Sequence, residues 1–232
     1  MLQAQDIVNQ ACTVAKVPAW TAQAGQLLNV ILQELSQDYN VSSNRATTTF
    51  NFSTAVGSGP YTLPVNWLRA NKDDVFYTIQ GEAYVMIPVD LAEFDALVQQ
   101  AGMASYPGYF AVDNSPVQTQ SGPLMYVWPP PSGAYPVTAR YYMQQADIAT
   151  PATSTVIPWF PNQIYLLRRL AGEMMLLTDD PRAPQFLGES RTILDRYLKN
   201  EGDTQAVKTA TLDRRRFSPG FDRLPNTKTL GW

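Results

Sequence analysis

The sequence predicts an α+β protein in which a helical body carries an inserted small antiparallel β-sandwich or barrel and ends in an extended C-terminal arm. Three observations support this fold class. Apolar residues recur at helical spacing on both sides of the middle region, proline and aromatic residues concentrate within it, and the last thirty residues lack sustained periodicity. We therefore expect an N-terminal helical hairpin over residues 1–46, a β-rich insertion with one short helix over 47–150, a C-terminal helix pair over 151–202 and the arm over 203–232.

The first 46 residues predict two antiparallel helices. The first spans residues 6–16, with Asp6 as N-cap, and the second spans roughly 21–38, with Thr21 as its cap. The short segment "VPAW" between them indicates a helical hairpin. Cys12, the single cysteine, lies in the apolar stripe of the first helix. We interpret it as a buried apolar side chain, because no neighbouring base is evident that could stabilise a thiolate.

The apolar pattern changes from helix-like to strand-like at residue 47. In "TTTFNFS", Phe50 and Phe52 lie on one face of a strand and the residues between them on the other. Thirteen of the 18 prolines then fall between Pro60 and Pro161, among turn segments such as "GSGP" and "YPG". Short strands separated by such turns are typical of a sandwich or barrel.

One short helix interrupts the predicted strands. Its N-cap is Asp90, Glu93 occupies the capping-box position, and Gly102 ends it. We expect this helix to cover an open end or edge of the sheet.

The segments "LMYVW" and "YPVTARYYM" predict the two arms of a β-hairpin, joined by a turn that contains Pro129, Pro130 and Pro131. Three prolines stiffen such a turn and remove backbone donors from it. Two roles stay open at this point. The turn is a stiff interaction element, or it merely closes the sandwich.

The segment "NQIYLLRRLAGEMMLLTDD" predicts a long helix that is apolar nearly all round. Such a helix is usually buried on more than one side, and its second partner is either another part of the chain or a neighbouring subunit. We place Met174 and Met175 at a subunit interface on this basis. Asp180 and Pro181 then begin a further helix as N-cap and first residue, and this helix should end by Gly202.

The arm combines basic and aromatic residues. Residues 203–232 hold six Lys/Arg and three Asp/Glu, while the whole chain has a net charge of −3. We expect the arm to dock on the acidic remainder of a sister subunit. Binding of a nucleic-acid backbone by the arginines is the competing interpretation. The predicted contact residues are Arg214, Arg215, Arg216, Phe217, Phe221 and Trp232.

Most catalytic chemistry is excluded by composition. The chain has no histidine and one cysteine, which argues against zinc sites, Ser-His-Asp triads and Cys-His dyads. Carboxylates remain as candidates, but a turn explains Asp73 and Asp74 and a helix junction explains Asp179 and Asp180, and sequence alone establishes no pair at catalytic spacing. We therefore assign no catalytic, cofactor-binding or metal-binding residue. These carboxylates are Asp73, Asp74, Glu82, Glu173, Asp179 and Asp180. Neither a signal peptide nor a membrane-spanning helix is expected.

The order of elements resembles that of the head-to-tail adaptor proteins of tailed bacteriophages, also called head completion or tail accessory proteins. The resemblance covers roughly residues 5–200 and rests on the helical hairpin, "YTLPVNWLRANKDDVFY", the helix over 90–101, "YPGYFAVDN", "LMYVWPPPSGAYPVTARYYM" and the helix pair that begins "IPWFPNQIYLLRRLAGEMM". In such proteins a strand that ends in Pro-x-Pro, an aromatic return strand and a closing helix pair recur in this order.

The resemblance implies a virion structural protein at the head-tail junction, made in the cytoplasm of a bacterial host. It implies a dodecameric ring below the portal that links capsid to tail and contacts portal and tail or nozzle proteins. Double-stranded DNA would only pass through the channel. The resemblance implies neither a cofactor nor a membrane partner.

Two other functions are weighed against the adaptor. A carbohydrate- or surface-binding β module of a phage tail would use the many Tyr and Trp side chains, and it would be a monomer or small oligomer whose melting temperature responds to ligand. A carboxylate-based hydrolase would lose its activity in an Asp or Glu to Ala series.

Overall fold

The computed structural model describes residues 1–71, 73–99, 103–115 and 122–212, with the backbone alone described for 202–212. It confirms the α+β class. In this part of the chain five helices accompany two β-sheets. Four of the helices form the body and one lies in the β insert. They are α1 Ala4–Val14, α2 Thr21–Asp38, α3 Leu91–Val98, α4 Gln163–Leu177 and α5 Ala183–Leu212.

The N-terminal hairpin forms, with one change at its start. The prediction of Asp6 as N-cap of α1 is wrong, because the N-cap is Gln3. Asp6 instead occupies the third helical position, where its carboxylate accepts a 3.2 Å hydrogen bond from the Gln3 backbone N–H, as in a capping box. α2 has the predicted bounds, but the prediction of Thr21 as its cap is wrong, because the N-cap is Trp20 and Thr21 is the first helical residue. Cys12 is buried, and burial raises the pKa of its thiol.

α4 is buried on several sides by its own chain. Its apolar residues join those of α1, α2 and α5 in one core, and Met174 and Met175 are both 0% exposed. A neighbouring subunit therefore cannot contact these two side chains while the chain is folded. The interface role expected for Met174 and Met175 is wrong for this reason: the second burial partner of α4 is intramolecular.

α5 is longer than predicted. The helix does not end by Gly202 but continues to Leu212, so the arm cannot begin at residue 203 as an extended segment. The continuation "DTQAVKTATL" contains Ala, Gln, Lys and Leu, which favour helix, and it has no proline. A single Gly costs a helix only about 1 kcal/mol relative to Ala, so Gly202 is tolerated inside it. Asp180 does not cap the helix directly, since α5 begins at Ala183.

Two β-sheets form the insert. The first has the order β1-β9-β4-β5, with β3 also pairing with β9, and the second has the order β2-β8-β7-β6. All pairs are antiparallel except β6 with β7. The strands are β1 Arg45–Asn51, β2 Tyr61–Thr62, β3 Trp67–Arg69, β4 Val75–Ile79, β5 Glu82–Val85, β6 Ile87–Pro88, β7 Tyr109–Asp113, β8 Leu124–Trp128 and β9 Pro136–Met143.

The predicted hairpin between β8 and β9 is wrong. β8 pairs with β2 and β7 in the second sheet, and β9 pairs with β1 and β4 in the first. Each strand already has neighbours on both sides, so the segment with Pro129, Pro130 and Pro131 carries the chain from one sheet to the other. The Pro130 carbonyl accepts a 2.8 Å hydrogen bond from the Ser105 N–H, which holds the crossing segment against the insert.

β9 supplies the centre of the first sheet. Val137, Ala139 and Tyr141 are buried on one face, as their alternation predicts. These residues belong to a second core, separate from that of the body, which also contains Phe52, Tyr77, Phe110, Met125 and Val127.

Arg69 joins the insert to the body. Its guanidinium donates hydrogen bonds to the backbone carbonyls of Gln37 (2.6 Å) and Tyr39 (3.1 Å), at the C-terminal end of α2. A cation at this position is favoured because the last helical carbonyls have no partner within the helix. The Arg69 guanidinium also lies 5.5 Å from the ring centre of Tyr142. Tyr142 faces away from the core of the insert, and its ring is buried because Arg69 covers it.

The contact between α4 and α5 predicts a stability difference between two glycines. A Cβ at Gly172 would lie 2.8 Å from Leu187 Cδ2 and 3.2 Å from the Leu187 N atom. Gly172→Ala should therefore lower the free energy of unfolding by about 1–3 kcal/mol. Gly188→Ala is the matched control. That site has open space, so alanine should raise stability by about 0.5–1 kcal/mol. Urea unfolding measures both, and equal effects would contradict the close α4–α5 contact.

Candidate interaction surfaces

The β4–β5 hairpin leaves one edge of the first sheet open. Its two-residue turn has positive φ at both positions, 52° and 90°, as a type I′ turn requires, and this sets the pair Ile79↔Glu82. Bonded and non-bonded pairs alternate along an antiparallel ladder, so the backbone groups of Ala83 and Val85 point away from β4. No other described strand pairs with β5. We call these two residues the open edge.

Four tyrosines form a cluster beside the open edge. Tyr84 stacks on Tyr77 with ring centres 5.6 Å apart, and Tyr106 stacks on Tyr84 at 6.4 Å. Tyr135 completes the cluster, 5.7 Å from Tyr77 and 5.8 Å from Tyr106. Tyr77 is buried, and burial together with its tyrosine neighbours raises its pKa. Tyr84 and Tyr106 are exposed, so the tyrosine cluster presents two aromatic rings to solvent beside the buried Tyr77.

Further exposed apolar side chains flank the tyrosine cluster. α3 buries Phe94 against Tyr126, with ring centres 5.9 Å apart. Its N-cap is confirmed: the Asp90 carboxylate accepts a 2.6 Å hydrogen bond from the Glu93 N–H. The predicted helix end at Gly102 lies outside the described residues. The large exposed apolar residues of β5, β6, α3, the segment before β7 and the start of β7 are Tyr84, Val85, Ile87, Leu91, Val98, Met103, Tyr106 and Tyr109.

The body has two exposed apolar patches, one at each end of α4. The first consists of Val156, Ile157 and Ile164, and Ile164 is 67% exposed. The N-terminal residues hold this patch together, because the Ala4 N–H donates to the Val156 carbonyl and the Leu2 N–H donates to Gln163. The second patch consists of Leu176 and Leu177. α4 has 15 residues, so the patches are separated by roughly 20 Å along the helix.

A polar groove of about 370 Å³ lies between α2, α4 and α5. Arg169 spans it, donating to Glu173 at 3.0 Å and to Glu34 at 3.5 Å. Burial raises the pKa of Tyr165 to about 12, against the opposing effect of the Arg169 charge. The ion pairs of Arg169 link α2 to α4 across the groove, which is how such residues stabilise helix packing.

The carboxylates considered as catalytic candidates have structural partners where they are buried. Asp74 forms an ion pair with Arg45, and Glu173 pairs with Arg169. Asp180 pairs with Arg182, whose hydrogen bonds lower the pKa of that carboxyl to about 2. Within the described ranges, groups of three or more His, Cys, Asp or Glu residues that could hold a metal ion do not occur.

The residues predicted as contact sites fall into three groups. Met174 and Met175 are core residues, as described above. Pro129 and Pro130 are half-buried and Pro131 is buried, so this segment presents a limited surface. The third group lies outside the described residues and comprises Arg214, Arg215, Arg216, Phe217, Phe221 and Trp232.

The open edge and the two α4 patches were missed in the sequence. A short strand that a Pro soon follows, as in "EAYVMIP", is typical of a sheet edge, and this signal was available. The α4 patches had no comparable signal. Ile164, Leu176 and Leu177 follow the same apolar pattern as the buried residues of α4, and only the positions of the other helices decide which are covered.

Tyr165 predicts a loss of stability in alkali. An unfolded tyrosine loses its proton near pH 10 and Tyr165 near pH 12. Between these values the unfolded state binds fewer protons than the folded state. The contribution of Tyr165 to stability is therefore complete below pH 10 and falls as pH rises. Tyr165→Phe should reduce the decline in unfolding free energy between pH 10 and 12 by up to about 1.4 kcal/mol per pH unit. Between pH 7 and 9 the difference between the two proteins should stay constant. Parallel curves from pH 10 to 12 would contradict the burial of this hydroxyl.

Comparison with known proteins identifies one family. A family model described as SU10 adaptor protein matches residues 2–215. The match takes in the helical body, the β insert and the start of the arm, including Arg214 and Arg215. The search of curated proteins found no match. None of the described helices is long and apolar enough to span a membrane.

Proposed function

The chain belongs to the SU10 adaptor protein family, and from this premise we propose that it forms a homo-oligomeric ring below the portal that links the capsid to the tail. The family assignment makes it a structural adaptor protein of a bacteriophage, located in the virion. Ring formation, portal binding and the docking of tail or nozzle proteins extend that assignment and are the proposal. Double-stranded DNA passes through the ring, which we expect to be a dodecamer.

The two apolar patches on α4 support a ring. A ring in which every subunit meets the next head to tail needs two different contact surfaces on each subunit. The patch with Ile164 and the patch with Leu176 and Leu177 are different surfaces at opposite ends of one helix. Large exposed aliphatic side chains that lie together are typical of contact sites. The helical body would then form the ring wall.

The insert would contact neighbours and tail components. Its tyrosine cluster and open edge are exposed, whereas the segment with Pro129 is partly covered. We still propose Pro129, Pro130 and Pro131 as a stiff contact element beside the cluster, since Ser132 Oγ lies 3.0 Å from the Tyr135 hydroxyl. Replacement of the three prolines by serines tests whether the segment serves docking or only crosses between the sheets.

The exposed tyrosines also favour a second candidate, a carbohydrate- or surface-binding module. Tyr84 and Tyr106 are exposed and stacked with an interplanar angle of 11°, and flat aromatic faces bind sugar rings. This function predicts a monomer or small oligomer whose melting temperature rises with added glycan. A large ring with no response to glycans would exclude it.

The ring proposal predicts that charges in an α4 patch block assembly without unfolding the chain. Leu176→Glu and Leu177→Glu place a charge at exposed positions, so the free energy of unfolding should change by no more than about 0.5 kcal/mol. Burying the charge between subunits should weaken assembly at least tenfold, which corresponds to about 1.4 kcal/mol. Mass photometry and electron microscopy of the protein mixed with the portal of the same phage measure ring formation.

Val65→Glu is the matched control. Val65 and Leu177 are both 58% exposed, but Val65 belongs to neither the α4 patches, the tyrosine cluster nor the open edge, so its variant should form normal rings. Met174→Glu should instead unfold the chain, because Met174 lies in the core. Normal rings from both leucine variants would remove this patch from the proposal.

A further inference from the structure

We propose that the open edge of one copy binds the C-terminal tail, residues 213–232, of a second copy as an added β-strand. The proposal deepens the ring described above and rests on it for the presence of adjacent copies. It concerns a different surface from the α4 patches, so the two can be tested separately.

The open edge has the backbone geometry that strand addition requires. The N–H and C=O groups of Ala83 and Val85 point away from β4, and the hydrogen bond from the Met86 N–H to the Val75 carbonyl (2.9 Å) continues the ladder in the same register. An extended peptide could pair with these groups while its side chains contact residues on both faces of the sheet.

Exposed apolar residues distinguish this edge from the β1 and β2 edges. β1, at the opposite edge of the first sheet, and β2, in the second sheet, have no large exposed apolar side chain. β5 has Tyr84 and Val85 exposed, and β6 has Ile87. Tyr84 lies with Glu82 on the face of the tyrosine cluster, and Val85 lies with Ala83 on the other face. An added strand would therefore find apolar contacts on either side.

The charge of the segment that contains the edge favours a basic strand, although Arg140 lies over the ring of Phe76, the partner of Val85 in β4. Between Lys72 and Arg140 the sequence has no Lys or Arg but seven Asp/Glu. Four of these acids, Glu82, Asp90, Glu93 and Asp95, are exposed on β5, next to β6 or on α3. The tail residues 213–232 hold five Lys/Arg and two Asp/Glu, and they include the run "RRRF". Opposite charges on the two surfaces speed association and select the partner.

The course of α5 favours a second copy as the source of the tail. α5 packs mainly on α4. Glu201 accepts a 3.2 Å hydrogen bond from the Ser42 N–H, beside the start of β1. The helix then continues to Leu212, a further distance of roughly 16 Å. β1 and β5 are opposite edges of the sheet. Glu201 therefore lies on the β1 side of the sheet, opposite the open edge of its own chain, and this favours the edge of a second copy as the partner of the tail.

Disulfide trapping between differently tagged full-length chains tests the proposal. In a Cys12→Ala background, one chain has Ala83→Cys at the open edge and the other has Ser218→Cys, next to Phe217 in the tail. The chains are mixed, oxidised and separated by mass under denaturing conditions. We expect a covalent heterodimer at a yield at least fivefold above that of the control pair. The control replaces Ala83→Cys with Ala22→Cys, an exposed alanine at the end of α2 away from the insert.

Two variants test the chemistry of the contact. A tail chain with all three changes Arg214→Glu, Arg215→Glu and Arg216→Glu should give a heterodimer yield at least fivefold lower. The same reduction is expected for the unchanged chains in 1 M salt, where charges are screened beyond about 3 Å. The conservative change of the same three arginines to lysine should retain most of the yield, because charge rather than hydrogen-bond geometry is invoked.

Each other outcome overturns the proposal in a distinguishable way. A chain with both cysteines that closes an internal disulfide, with no heterodimer in the mixture, shows that the tail binds its own edge. Rings without any trapped species show that the tail binds elsewhere, and they leave the proposed function intact. If neither rings nor a trapped species form, both proposals fail. Loss of co-purifying DNA in the triple glutamate variant, with trapping unchanged, assigns the arginines to nucleic acid.

Discussion

The joint between Arg69 and the end of α2 determines how the two cores of this protein lie relative to each other. The chain leaves the body at Asn44 and returns near Gln145, and Asn44 donates to the Met143 carbonyl and accepts from Gln145 across the two crossings. The hydrogen bonds of Asn44 alone would fix the insert only where the chain enters and leaves it. Arg69 adds bonds to the α2 carbonyls and shields Tyr142. A charged hydrogen bond of this kind contributes about 1.5–3 kcal/mol, and without it the 3.4 Å hydrogen bond from Asn40 to Asn71 would be left to hold the insert at this side.

A fixed angle between body and insert matters because the candidate contact surfaces lie on both. The α4 patches are on the body and the open edge is on the insert, so a subunit that engages neighbours through both needs their separation to be constant. Coupling through a polar joint rather than a shared apolar core also lets each unit pack independently. The body core and the sandwich core have separate members, and substitutions in one should leave the packing of the other unchanged.

Local patterns in the sequence predicted the positions of helices and strands better than which of them pack or pair with one another. The bounds of α2, the cap of α3 at Asp90 and the burial of Cys12 depend on residues within a few positions of one another, and all three were confirmed. The β8–β9 hairpin failed because pairing depends on distant residues: Phe50 aligns with Val137 of β9, and nothing local encodes that register. Met174 and Leu176 show the same limit within one helix, since both fit its apolar pattern and only tertiary packing separates them.

The open edge also raises the question of how an adaptor stays soluble before assembly. An exposed apolar strand tends to pair with copies of itself. Here the edge has only two residues with outward backbone groups, and Glu82 precedes them. Two such edges in contact would bring Glu82 of one copy towards Glu82 of the other, on strands that contain no Lys or Arg. Repulsion of like charges therefore disfavours edge-to-edge pairing, while a basic extended segment meets no such cost. On this reasoning the same acidic residues that would attract the tail of a second copy also protect the edge until that tail arrives.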